Sequence, residues 1–430
     1  MQPELKTRRA FLRQAMVGGA LSWTVPSFVA GTWEALAAAS EAAERVPIRD
    51  RESRVLVVLQ LAGGNDGLNT VVPRGNDHYR RARPRLGLTE SDLVPLNAEL
   101  GWHPSLRAWR GLVDDAHLAV IPGVGYPNPN RSHFRSMEIW QTASEANRFE
   151  REGWLGRYFD HACAGADPTV GVNVGRQMPQ AFTAQTPTGV AIDGPRRGRG
   201  AAMTGMHGDD GVMSDHESTD AGSTVAELAG SSTVRGQVLD FLDRTELDAR
   251  VSSDRIGAVL KRAASRAEYP ATTLAQSLKS VAQLIAGGMP TRVYYLSQGG
   301  YDTHAGQAAQ HARLLQELGD ATAAFVRDLK AQGHLDRVLL MSFSEFGRRV
   351  AENGSGGTDH GAAGPMFLLG ARLPRAVLGG YPSLAPGTLL NGDLKFGVDF
   401  RSVYAAVLED WLGAPAEKVL GRRFEKVRWT

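Results

Sequence analysis

The chain has 430 residues, 42% hydrophobic, 22% charged and 7% aromatic, and its 48 Lys and Arg nearly balance 46 Asp and Glu. That length and apolar content allow a large buried core and exclude a wholly disordered chain, while the single cysteine, Cys163, excludes a disulfide scaffold. The 49 glycines follow no G-X-Y repeat, which excludes collagen and points to a loop-rich fold with many tight turns.

The chain opens with Thr7-Arg8-Arg9-Ala10-Phe11-Leu12-Arg13, a weakly apolar stretch over 15–30 and the small residues Ala35-Leu36-Ala37-Ala38-Ala39-Ser40. A charged start, an apolar middle and small residues at a cleavage point make residues 1–39 a signal peptide. The paired arginines resemble the twin-arginine type, which predicts export of a folded protein to the periplasm, cell envelope or exterior. Gly18, Gly19 and Pro26 interrupt the apolar stretch, so no stable membrane span is expected, since one needs ~20 mainly apolar residues. Residues 40–430 carry 44 basic and 44 acidic side chains. No basic footprint for nucleic acid is therefore visible, and no partner protein is indicated.

Beyond the signal, short apolar runs alternate with helical patterns. Strands are expected over 54–61, 117–122, 292–297, 337–343 and 365–369, and helices over 134–143, 234–266, 272–285, 308–332 and 400–412. The continuous apolar run Val55-Leu56-Val57-Val58-Leu59 suits a strand buried on both faces of a parallel sheet. The alternation predicts an α/β protein with three layers, α/β/α, around a mainly parallel central sheet. Residues 40–430 read as one such domain. Residues 201–232, rich in Gly, Ser, Asp and Thr, read as a long flexible insert.

In open α/β sheets, ligands bind beyond the carboxyl ends of the strands. Four expected strand edges present carboxylates there: Asp66 in Gly63-Gly64-Asn65-Asp66-Gly67, Asp302 with His304, Glu345 after Ser344, and Asp359 with His360. In an extended segment the i, i+2 spacing puts Asp302 and His304 on one side. Each pair alone reads equally well as a turn cap or a buried histidine. Together, carboxylate oxygen and imidazole nitrogen suit a divalent metal, with Zn or Mn favoured over the all-oxygen preferences of Ca or Mg.

Ser132 falls near a helix amino terminus, where unpaired N–H groups favour an anion. It reads either as a plain helix cap or, beside a metal, as a nucleophile toward a phosphorus or sulfur ester. Its neighbours Arg131 and His133, together with Asn65 and Arg348, are candidates for holding an anionic substrate. His207, Asp209, Asp210, Asp215 and His216 lie in the insert and read as solvated, and Arg196-Arg197-Gly198-Arg199 reads as an exposed basic turn. There is no G-x-G-x-x-G dinucleotide fingerprint and no G-x-S-x-G elbow.

LQLAGGNDGLNTVVP from Leu59, NRSHFRSMEIWQT from Asn130, GGYDTHAGQ from Gly299, SFSEFGRR from Ser342 and TDHG from Thr358, with the arginine-pair signal, resemble the exported domain-of-unknown-function 1501 family. That family is placed with the alkaline phosphatase and sulfatase superfamily. The resemblance implies an alkaline phosphatase-like sheet and a metal centre of Asp and His residues with a Ser, Thr or modified-Cys nucleophile. It implies Asp66 as the first metal aspartate, Ser132 at the nucleophile position, and Asp302, His304, Glu345, Asp359 and His360 at the remaining ligand positions. Two departures stand out: the close Asp302–His304 spacing, and Phe346 where a histidine is expected. No Cys-x-Pro-x-Arg follows Ser132, which argues against a formylglycine sulfatase. Two functions follow: an exported metal-dependent hydrolase of a phosphate or sulfate ester, or a non-catalytic relative that binds a partner or envelope polymer.

Overall fold

The computed structural model describes residues 54–186, 188–194 and 251–429. The expected signal peptide, the insert near 201–232 with its His and Asp residues, the basic turn 196–199 and the start of the helix over 234–266 lie outside the described residues.

Eleven strands occur among the described residues. They are β1 (Val55–Leu61), β2 (Val71–Pro73), β3 (Val94–Pro95), β4 (Leu100–Trp102), β5 (Leu118–Gly125) and β6 (Gly171–Val174). The remainder are β7 (Val190–Ile192), β8 (Val293–Gln298), β9 (Val338–Phe343), β10 (Gly364–Gly370) and β11 (Val398–Asp399). The main sheet has the order β11-β5-β10-β9-β1-β8-β6-β7, and β2-β4-β3 form a small antiparallel sheet. Every pairing in the main sheet is parallel except the two made by β10. Because β10 runs the other way, it begins at the edge where its neighbours end, and this brings the preceding Asp359 and His360 to the same rim.

Central position explains the burial of β1. It pairs with β8 along one edge and β9 along the other, helices cover both faces, and every residue is buried. Alternate side chains feed different cores, as strand geometry requires. Val55, Val57, Leu59 and Leu61 join one cluster with α3 (Thr273–Ala286) and α4 (Gln307–Gln332), represented by Leu278, Leu315 and Phe325. Leu56 and Val58 join a second cluster on the opposite face. That face is covered by α1 (His133–Thr142), α2 (Trp154–Ala162) and α5 (Phe400–Ala406), through Trp140, Tyr158 and Tyr404. The architecture is three layers, α/β/α, around a mostly parallel mixed sheet.

The long α4 follows directly from its sequence. Leu314, Leu318, Ala321, Phe325 and Leu329 recur at helical spacing and are buried. Gly333, at φ +75°, ends the helix by returning its N–H to the Leu329 and Lys330 carbonyls. The five longer expected strands form within a few residues of their expected bounds. β6, β7 and β11 did not stand out in the sequence, because runs of two to four residues carry too little periodicity. No helix among the described residues is long and apolar enough to cross a membrane.

Candidate metal centre

The turns after β1, β8 and β9, the turn before β10 and the start of α1 meet at the carboxyl rim of the sheet. Glycine makes their close approach feasible. A Cβ on Gly63, whose φ is +115°, would lie 2.4 Å from the Asp302 nitrogen, and one on Gly357 would lie 2.3 Å from the His304 carbonyl carbon. Arg348 fixes the arrangement from within. Its guanidinium, fully buried, donates to the carbonyls of Gly63, Gly64 (2.7 Å), Thr358 (2.8 Å) and Tyr301 (3.0 Å) and to Asp302 Oδ1 (2.7 Å). A residue expected to face substrate thus holds four carbonyls in three turns, and one carboxylate, instead.

Asp302 is the hub. Tyr301 and Thr303 are buried while Asp302 and His304 face the opposite side. Asp302 Oδ1 lies 3.1 Å from both His304 Nε2 and His360 Nε2, and Oδ2 lies 3.4 Å from His133 Nε2. The other nitrogen of each imidazole is tied to an acceptor. His133 Nδ1 meets Glu345 Oε1 at 2.9 Å, His360 Nδ1 meets the Arg131 carbonyl at 2.9 Å, and His304 Nδ1 meets Asp359 Oδ1 at 3.3 Å. These partners only accept, so each Nδ1 carries a hydrogen, and each Nε2 is the atom turned inward toward Asp302.

Imidazole nitrogens and a carboxylate turned toward one another suit a cation or a proton between them. The His304 and His360 Nε2 atoms are 2.9 Å apart. Ligand atoms ~2.0–2.1 Å from a tetrahedral zinc are separated by about 3.3 Å, and the edges here run from 2.9 to 3.4 Å. His133, Asp302 and His360 each offer an atom within 4.8 Å of the others. The donor set fits a divalent cation bound by nitrogen and oxygen. Partial burial works to raise the Asp302 pKa, but the hydrogen bond and positive charge of Arg348 outweigh it and hold the carboxyl at about 2. Asp302 is therefore anionic at neutral pH.

Around this hub, Glu345 is buried and also accepts the Gly63 N–H at 2.8 Å, while Asp359 accepts from Asn353 Nδ2 at 3.0 Å. Both carboxylates orient histidines. Phe346 is buried with its ring 4.9 Å from that of His133 and 4.5 Å from that of His360, so an apolar floor occupies the place where the resemblance led one to expect another donor. Ser132 stands at the N-cap position of α1, yet its side chain makes no capping bond. It is exposed and sits between Arg131, whose carbonyl holds His360, and His133, which faces Asp302.

Asp66 and Asn65 lie elsewhere. Asp66 is buried, with Oδ2 accepting from Arg83 Nη1 and Gln307 Nε2, both at 2.5 Å. Arg83 also donates to Asn69 Oδ1 and to the carbonyls of Val350 and Arg349. Asn65 Oδ1 accepts from Thr70 Oγ1 at 3.0 Å and lies 3.2 Å from His311 Nε2. Nothing local marked Arg83, Gln307 or His311 as partners: Gln307 and His311 are distant in the chain, and Arg83 ends an ordinary short helix.

A profile described as a protein of unknown function (DUF1501) matches residues 122–414. The chain belongs to the DUF1501 family. No curated protein matches this DUF1501 sequence. Among solved structures it is similar to the C-terminal periplasmic domain of EcEptC from Escherichia coli in complex with Zn, at 11% identity and a TM-score of 0.36, covering 74% of this chain and 73% of that one. It is similar to a putative sulfatase from Bacteroides thetaiotaomicron, at 7% identity and a TM-score of 0.36, covering 87% and 76%. It is also similar to the lipoteichoic acid synthase LtaP from Listeria monocytogenes, at 8% identity and a TM-score of 0.33, covering 78% and 72%.

Proposed function

We propose that this DUF1501 protein is an exported, metal-dependent hydrolase of a phosphate or sulfate ester, a single domain behind a twin-arginine signal peptide. One observation carries the reading: three imidazole Nε2 atoms converge on Asp302 while each Nδ1 is tied to an acceptor. Asp302, His133 and His360 hold the cation, with His304 as a fourth donor, and Glu345 and Asp359 orient the rings. A divalent cation there supplies Lewis acidity, polarising the ester oxygen and favouring ionisation of a nearby hydroxyl.

Ser132 Oγ is the nucleophile, because its hydroxyl is not used to cap α1 and its two neighbours touch the centre. Attack forms a bond from Oγ to phosphorus or sulfur and releases the alcohol, and water then regenerates the serine. Arg131 binds the anionic ester through charge-assisted hydrogen bonds. The test pairs elemental analysis of protein exported in its native host with a screen of phosphomonoester, phosphodiester and sulfate ester substrates. Turnover that needs the metal and vanishes in Ser132→Ala is expected. No turnover with any divalent metal would overturn the reading. His304 favours a second reading, since a fourth protein donor closes a tetrahedral shell. A bound metal with no exchangeable water would point to a non-catalytic binding protein.

A further inference from the structure

We propose that Arg131 and Arg349 form an anion-binding shelf beside this centre, so that the ester acted on belongs to a molecule carrying a second negative group. The inference rests on the hydrolase reading of the same site and names its substrate class.

Both guanidinium groups are held by one carboxylate. Arg131 donates through Nε (3.0 Å) and Nη2 to Asp393 Oδ2, and Arg349 Nε lies 3.6 Å from Asp393 Oδ1. Asp393 is buried, and its Oδ1 has no hydrogen-bond partner among the described residues. Two positive charges therefore share one acid. Both arginine side chains stay open to solvent, at 41% and 37% exposure. Arg349 makes one further contact to the chain, from Nη2 to the Asn391 carbonyl at 3.2 Å. Asp359 is the other acid near Arg349, but its Oδ1 is engaged by Asn353 and His304.

The shelf adjoins the reacting centre through the backbone. The Arg131 carbonyl bonds His360 Nδ1, the Arg349 N–H bonds the Asp359 carbonyl at 3.0 Å, and Arg348 bridges His360. An arginine fork suits a second phosphate, sulfate or carboxylate, which it meets bidentately. A buried anchor keeps the two forks side by side, so little side-chain freedom is lost on binding. A simple ester with one anionic group, engaged by Arg131, would leave Arg349 without a ligand.

The experiment is calorimetric titration of the zinc-loaded mature protein with hexyl phosphate and with 1,6-hexanediol bisphosphate. The bisphosphate is expected to bind roughly tenfold more tightly, with the ratio shrinking as salt is raised. In Arg349→Met, which leaves the Arg131–Asp393 pair in place, the ratio should fall toward one, and Arg349→Lys should recover part of it. Equal binding in the wild type, or a preference that survives Arg349→Met, would overturn the shelf. Turnover of a small monoester with equal binding of both compounds removes the shelf and leaves the hydrolase. An Arg349-dependent preference without turnover of any ester does the reverse.

Discussion

The turns after β1 and β8 each place an aspartate at the end of a parallel strand, with an arginine and histidines close by. The two aspartates are used in opposite ways. Asp66 is buried against an equally buried Arg83, and Gln307 shares the same oxygen. Burial works to raise its pKa, yet the Arg83 charge and hydrogen bond, with the Gln307 hydrogen bond, leave it below the ordinary carboxylate value. Burial also pushes His103 and His311 down to about 4, so both are neutral. The nest behind β1 neutralises its own charge and keeps its groups from solvent.

Asp302 has a buried arginine too, but it is half-exposed and its second oxygen faces His133. The histidines around it are anchored from behind and open in front. The same residue types thus build a structural nest in one place and a binding centre in the other. What separates them is whether each polar group finds its partner inside the protein.

This contrast breaks most visibly at Arg83. Arg83→Met would strand the Asp66 carboxylate in the interior, and a loss of about 3–5 kcal/mol in urea unfolding is expected. Added zinc should not restore it; rescue by zinc would mean that Asp66 itself binds the cation. The neutral histidines give the next effect. The unfolded chain takes up protons at ~6.5 while the folded nest resists until about 4. Stability is therefore full above ~6.5 and falls as pH drops toward 4, by up to roughly 3 kcal/mol per histidine. Unfolding curves across that window should flatten in His311→Asn.

At the open centre, effects should appear in metal affinity rather than folding. Glu345→Gln is expected to weaken zinc binding about 10–100-fold in a chelator competition, because a carboxylate behind a ligating histidine sets its orientation and basicity. An unchanged affinity would remove Glu345 from the centre. The smallest effect should be that of Ser132→Ala on folding. With no capping bond to lose, its unfolding free energy should stay within about 0.5 kcal/mol of the wild type, whereas its ester turnover should vanish. A loss near 1 kcal/mol would return Ser132 to a capping role.

Much of the scaffold was legible without coordinates. The buried run Val55–Leu61, apolar except at Gln60, announced a buried strand because two covered faces favour apolar residues along its length. The turns after β1, β8 and β9 were legible as a rim because glycines and acids interrupt apolar runs there. His133 was harder to place. It appeared as a neighbour of Ser132 with substrate in view, and only its 2.9 Å contact with Glu345, 212 positions away, shows which way its ring is turned.

The sequence by itself determined the layers, the parallel sheet and the rim on which polar chemistry gathers, since periodicity and apolar runs are local properties of the chain. Tertiary structure alone decided the allocation of partners. It gave Asp66 to Arg83, gave Arg348 to three turns and Asp302, and turned three imidazoles toward Asp302. Such pairings depend on distances between residues far apart in the chain, and on the cost of burying any charge left without a partner.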